Sequence, residues 1–393
     1  MKNTQSKLKI SRNKFLKSAL GACSLCAAGL AAASFKVMAQ TAPPEAEQPQ
    51  TARMGFTSPR QASWFASVEN SKIKCALCPN GCRLKPGQRS VCRVRENRDG
   101  KGYTLAHSNP ALIQEDPVER KPFFHVLPGT RALSISTAGC NLKCKFCEVW
   151  DMALVDPEDV HAYDMPPEDV VKHARDAGLR SLSYAFGEPV IFYEYMKETA
   201  EKAREQGLLN LMHTAAYINP EPLQDICNSV DAVNVDLKSF DEKFYREVVG
   251  GELQPVLDSL RTIREKGLHL EITTIVIPTL NDDMEMLGDM CSWIRNELGP
   301  DVPLHLARFY PLYQLSGLPR TPVSTLDQAR QTAMQAGLNH VYVSRVTGHE
   351  GENTFCPGCG QKIINRVGFV IDSMDMQEGK CSHCSREISG IWA

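Results

Sequence analysis

The sequence predicts an α/β fold, a mostly parallel sheet covered by helices and curved into a partial or full barrel, with a cysteine-rich module on either side. Three observations carry that expectation. Strand-like and helix-like segments alternate from residue 131 to residue 347, the pattern of a parallel sheet with crossover helices. Eleven of the fifteen cysteines fall in three clusters, at 75–92, 140–147 and 356–384. The middle cluster directly follows the first strand of the alternating region, where α/β enzymes place their chemistry.

The elements follow in order. Residues 1–17 are basic, 18–35 are uncharged and Ala-rich, and Val37-Met38-Ala39 offers a small-x-small cleavage pattern. Residues 1–39 therefore read as a signal peptide. The stretch Ser11 to Lys17 resembles the twin-arginine export motif, with Asn13 in place of the second arginine. Leu20-Gly21-Ala22-Cys23 also looks like a lipoprotein cleavage box. The expectation is export to the cell envelope or periplasm, the alternatives being an uncleaved membrane anchor and a cytoplasmic protein. Residues 40–62, rich in Gln, Pro, Ala and Thr, read as a flexible linker. Residues 63–130 form an N-terminal module around Cys75, Cys78, Cys82 and Cys92. Four thiolates close the coordination of either zinc or a [4Fe-4S] cluster, and in an exported protein disulfides are a further alternative.

In the core, 131–347, Arg131 to Ser136 alternates as a strand. Helices are expected from Pro166 to Ala177, Phe192 to Gln206, Pro222 to Ser229, 241–249, 254–266, Asp283 to Glu297 and Leu326 to Ala336. Strands are expected at 181–185, 209–213, 232–236, 268–277, 304–309 and 340–345. Residues 348–393 carry two C-x2-C knuckles, Cys356/Cys359 and Cys381/Cys384, around a strand-like segment. This resembles a zinc ribbon, and without a dense basic patch its role is structural or docking. Cys227 and Cys291 lie in helical patterns and read as buried thiols.

Composition excludes some functions. The 393 residues are 42% hydrophobic and 23% charged, and the formal net charge is −2. Neither nucleic acid nor an anionic membrane is expected to bind by bulk charge, and membrane association is expected only through the N-terminal segment.

Cys140, Cys144 and Cys147 follow a C-x3-C-x2-C spacing. The wider first step is unusual for zinc, which favours C-x2-C knuckles. Three thiolates can hold three irons of a [4Fe-4S] cube, leaving one iron open to a small molecule. Polar residues at later strand ends are candidates to hold that molecule. Gly187-Glu188 follows the second strand, and Asp236 and Lys238 sit on one side of the end of the fourth. An acid and a base at that distance suit a zwitterion, with a local ion pair as the alternative. His305 and Arg308, on the sixth strand, are further candidates for cofactor or substrate contact, with a satisfied core histidine as the alternative for His305.

The cysteine triad resembles the cluster motif of radical S-adenosylmethionine (SAM) enzymes. The wider chain, about 70 to 393, resembles the radical SAM enzyme of the AmmeMemoRadiSam system, near the pyruvate formate-lyase activating enzymes. The carriers are Cys75 to Cys82, Cys140 to Cys147, Val235 to Asp241, Ile277 to Asp282 and Gly348 to Asn353. Departures are Phe186 where the Gly-Gly-Glu-Pro motif has its first glycine, Glu148-Val149 after the triad, and the N-terminal signal. The resemblance implies a partial (β/α)6 barrel with a [4Fe-4S] cluster at its top, held by Cys140, Cys144 and Cys147. It implies that the open iron chelates SAM near Gly187, Glu188, Asp236 and Lys238. It also implies reductive cleavage of SAM to a 5′-deoxyadenosyl radical, which abstracts hydrogen from a substrate. A glycine of a partner protein is one candidate for that substrate, and a small molecule is the other. An external one-electron donor of the flavodoxin or ferredoxin type follows, as does work without oxygen. The rival readings are a non-catalytic iron–sulfur electron carrier and a metal-module binding protein.

Overall fold

The computed structural model describes residues 51–393. The expected export segment, and the linker up to residue 50, lie outside the described residues. Eight strands form the main sheet: β1 Leu112–Pro117, β2 Arg131–Ser136, β3 Ser181–Tyr184, β4 Leu209–Thr214, β5 Ala232–Asp236, β6 His269–Val276, β7 Leu304–Arg308 and β8 Val341–Ser344. They lie side by side in that order. β2 to β8 are parallel, and β1 pairs antiparallel to β2 at the edge. Among the described residues no ladder joins β1 to β8, so the barrel is partial.

Six helices connect the parallel strands: α1 Pro167–Asp176, α2 Tyr193–Glu205, α3 Pro220–Ile226, α4 Gln254–Glu265, α5 Met284–Glu297 and α6 Val323–Gln335. Local chemistry explains their limits. α1 starts on Pro167 with Glu168 and Asp169 in its first turn, and Gly178 follows its end at φ +66°. Its buried stripe of Val170, Val171 and Ala174 packs on the sheet. The Asp283 side chain caps α5 by accepting from Met286 N. The parallel strands are buried almost throughout yet alternate apolar and polar residues, and inward positions such as Asn234, Glu271 and His305 are polar. All four residues of β3 are buried. At 241–249 only Glu242–Phe244 is α-helical, and Tyr245–Val249 forms a wider π-type turn ending on Gly250 at φ +78°.

Two boundaries differ from the sequence reading. The expected linker is ordered from its described start, because Arg53–Met54 pairs with His161–Ala162 and Arg60–Gln61 pairs with Tyr103–Thr104. The N-terminal cysteine module does not stand apart through residue 130, since β1 within it completes the main sheet.

The segment from Val118 to Leu127 fills the closed end of the barrel. Phe123, Phe124 and Val126 are buried there. Inward side chains of the sheet bind its backbone. The Glu271 carboxylate accepts from Phe124 N at 3.1 Å and His125 N at 2.8 Å, and Asn234 Nδ2 donates to Pro122 O at 2.8 Å. The C-terminal chain closes over this plug. The fully buried Arg366 donates to Phe124 O at 2.8 Å and Thr354 Oγ1 at 2.7 Å.

Candidate active site and metal centres

The cysteine loop follows β2, and its geometry depends on Gly139. That residue has φ +101°, and a Cβ there would lie 2.6 Å from Cys92 O. Beyond it the loop is pinned from both sides. Asn141 Nδ2 donates to Tyr217 O at 2.7 Å, while Lys143 N and Lys145 N each donate at 2.9 Å to Val249 O and Val248 O. Leu142 and Phe146 are buried between the cysteines. The anchored loop carries Cys140, Cys144 and Cys147 to one end of a cavity of about 620 Å³, a size suited to a cofactor with a substrate group. As free thiols all three resist ionisation. Burial pushes Cys140 well above its ordinary range, Cys144 to about 11 despite the Lys238 ammonium, and Cys147 upward as well. A metal is what would favour the thiolates here. No fourth cysteine lines the cavity among the described residues, so the donor set fits a cube with one open iron.

The ends of β3, β4 and β5 bring the other polar groups to the same cavity. Gly187 is required, since a Cβ on it would overlap Ser136 Oγ, which accepts from Gly187 N at 3.1 Å. Phe186, where the family motif has a glycine, adopts φ +71°, the left-handed conformation that glycine favours. Its ring carries the Lys121 ammonium 4.0 Å from its centroid. Glu188 is buried, with both oxygens engaged by its own chain. Oε1 accepts from Thr214 Oγ1 at 2.6 Å and Val190 N at 3.1 Å, and Oε2 accepts from Ala215 N at 2.8 Å. Burial raises its carboxyl above the usual range against the pull of these donors. Glu188 thus ties the end of β4 to the loop after β3.

Asp236 and Lys238 form the ion pair that their spacing allows, 3.0 Å apart, and both line the cavity. His213 at the end of β4 adds Nε2 at 2.9 Å from the second oxygen of Asp236. Burial works against the charge on Asp236, but Lys238 and His213 outweigh it and hold the carboxyl well below its ordinary value. The same pairing overrides burial and holds Lys238 above its ordinary value. His213 was not among the sequence candidates. It sits in an apolar strand pattern, and only its register opposite Asn234 puts it beside Asp236.

His305 and Arg308 lie outside the cavity lining. His305 is fully buried against the plug, with Nε2 2.6 Å from Glu271 Oε2, and its ring meets that of Phe124 at 4.8 Å. It shares an inward face with Ala307, which does line the cavity, but lies deeper in the barrel. Arg308 donates from Nε to Thr321 O at 2.8 Å and fixes the loop before α6.

The flanking cysteine sets differ in geometry. Cys356, Cys359, Cys381 and Cys384 hold their sulfurs all within 4.8 Å of one another, with Cys356–Cys384 at 3.5 Å and Cys359–Cys381 at 3.8 Å. A tetrahedron of thiolates on zinc has edges of about 3.8 Å, from Zn–S of about 2.3 Å. Among the described residues no other group of three or more Cys, His, Asp or Glu ligand atoms is drawn in so closely. Cys75, Cys78, Cys82 and Cys92 instead line a small void beside Arg95 and Asn141.

The profile of the radical SAM superfamily matches residues 134–291. Over 331 residues the chain is 37% identical to an uncharacterised protein of Methanocaldococcus jannaschii, across 84% of this chain and 98% of that one. The chain belongs to the radical SAM superfamily. It is also 24% identical to the pyruvate formate-lyase-activating enzyme of Clostridium pasteurianum, over 43% of this chain and 71% of that enzyme. A radical SAM methyltransferase from Sphaerobacter thermophilus is similar in structure, with a TM-score of 0.46 and 14% identity over 80% of this chain and 81% of the other. Membership of the superfamily implies a [4Fe-4S] cluster and SAM.

Proposed function

We propose that this chain is an activating-enzyme-like radical SAM protein that generates a radical on a glycine of a partner protein. The observation that carries this is the convergence of the Cys140/Cys144/Cys147 loop with Asp236, Lys238 and His213 on one cavity. When bound and reduced, the cluster supplies the electron for cleavage of SAM to methionine and a 5′-deoxyadenosyl radical that takes a hydrogen atom. The three cysteines hold it. Lys238 uses one of its three donors on Asp236, leaving donors for a carboxylate, and Asp236 offers the matching anion for an ammonium. His213 and Lys238 keep Asp236 ionised, and Glu188 fixes the backbone that frames the pocket. Gly187 lets that backbone come close to the ligand.

A protein partner is favoured by the similarity to activating enzymes and by the cavity's rim. Leu312 and Phe369 line the opening and are exposed. Next to them the exposed Trp150 stacks on Tyr313 at 5.3 Å. Exposed aromatic residues at a concave mouth suit protein recognition. The reading includes zinc in the C-terminal set as a ribbon-like module, a flavodoxin- or ferredoxin-like donor, and a cell-envelope location through the N-terminal segment. Fractionation tests the location, and recovery of full-length protein only in the cytoplasm would overturn it.

The central test is dithionite-dependent formation of 5′-deoxyadenosine from SAM by anaerobically reconstituted protein, with and without candidate glycine-bearing partners. Cys144→Ser abolishes it. A fully loaded cluster that cleaves no SAM under either condition would identify an electron carrier instead.

A further inference from the structure

We infer that Cys75, Cys78, Cys82 and Cys92 hold a second iron–sulfur cluster rather than a zinc ion. The inference stands on the contrast between the two four-cysteine sets in this chain. Cys356, Cys359, Cys381 and Cys384 are already drawn in to the spacing of a mononuclear tetrahedral site. The N-terminal four are not. No three of their sulfurs come within 4.8 Å of one another together, yet all four line one small void of about 10 Å³. Four thiolates spread around a common centre suit a polynuclear core, in which each iron takes its own ligands.

The surroundings fit that core. Hydrogen bonds aimed at cluster sulfurs tune iron–sulfur centres, and two side chains are in place for it. Asn80 Nδ2 lies 3.6 Å from Cys78 Sγ, and Ser90 Oγ lies 3.0 Å from Cys92 Sγ. Arg95 is fully buried beside Cys75 and Cys92, where it also pairs with Glu194 at 3.1 Å. The site also abuts the central loop. Asn80 Nδ2 donates to Asn141 O at 2.7 Å, next to Cys140, and Gly139 packs on Cys92 O. Asn80 thus spans the two cysteine groups through one side chain. In the C-terminal set the sulfurs lie against each other, Cys359 and Cys384 are exposed, and no comparable bridge to the cavity cysteines exists among the described hydrogen bonds.

The test counts metal and is independent of SAM cleavage, so it stands or falls separately from the proposed activity. The Cys140→Ala/Cys144→Ala/Cys147→Ala triple variant is reconstituted anaerobically with iron and sulfide. Iron, sulfide and zinc per chain are then measured, with the absorption spectrum and the electron paramagnetic resonance of the dithionite-reduced protein. The expected result is that about two or about four irons per chain remain with matching sulfide, alongside one zinc. Adding Cys78→Ala removes the remaining iron and leaves the zinc. Cys78→Ala in the otherwise natural chain lowers the iron content without abolishing it, which guards against loss through misfolding of the triple variant. A triple variant that holds two zincs and no sulfide overturns the inference, as does one that holds no metal at 75–92.

Discussion

Replacing Glu188 by Gln tests whether this residue is a structural tie. The carboxylate accepts three hydrogen bonds, two at Oε1 and one at Oε2. The amide of Gln keeps one acceptor and turns the other atom into a donor. Its oxygen can still serve Thr214 and Val190, so its NH2 group then faces Ala215 N–H, donor against donor. A buried donor left without a partner costs about 1–3 kcal/mol. The expected loss of stability is about 2 kcal/mol, read as a lower denaturant midpoint at unchanged slope. Thr214→Val alone removes one of the same bonds. In the Glu188→Gln background it adds less than it does alone, because the two side chains share a network. SAM cleavage falls along with stability, since the frame of the pocket moves. A Glu188→Gln protein within about 0.5 kcal/mol of the natural one, with normal cleavage, would refute the assignment.

Gly187→Ala destabilises the loop by overlap with Ser136 Oγ, and adding Ser136→Ala restores part of the loss; thermal unfolding of both variants checks this. Burial pushes the Lys121 amine from 10.5 down to about 8, outweighing its 2.6 Å pairing with Asp116. Between those values the unfolded chain carries the extra proton, so this site adds stability as pH rises from 8 to 10.5. The difference between the natural protein and Lys121→Met should therefore grow across that window by at most about 3 kcal/mol, and a flat difference would reject it. Arg366→Met leaves Phe124 O short of a buried donor, while Thr354 Oγ1 keeps Tyr342 Oη, and costs about 1–3 kcal/mol, measured by denaturant unfolding. Cys359→Ser releases zinc in a chromophoric chelator assay while the absorption of the central cluster persists.

The repeating units and the cysteine sets were legible because their signals are local. Strand and helix periods, Pro167, Gly178 and Cys-x2-Cys knuckles need no distant partner to be read. β1 was not legible: Gln114, Glu115, Asp116 and Pro117 are poor strand formers, and only β2 holds them extended. The plug at 118–127 has no periodic pattern and is fixed by Glu271 and Asn234 far along the chain. Spacing put Asp236 and Lys238 on one side of the strand end, and the ion pair they form is the local alternative it offered, but it could not supply His213, which arrives through strand register. It placed His305 on the sixth strand and left its depth open. That depth decides its role, since His305 meets Glu271 and the plug instead of the cavity.

The C-terminal chain lends residues to the mouth of the cavity. Glu352 Oε2 accepts from Gly348 N and Gly368 N, and Glu352, Gly368 and Phe369 all line the opening. Gly368 and Phe369 form the turn between strands Lys362–Val367 and Val370–Met374, with the four-sulfur set of the same module at its other end. With zinc bound there, as proposed above, the module would brace that turn. On that proposal a chain starved of zinc would keep its barrel and its central cysteines but hold one wall of the opening less firmly.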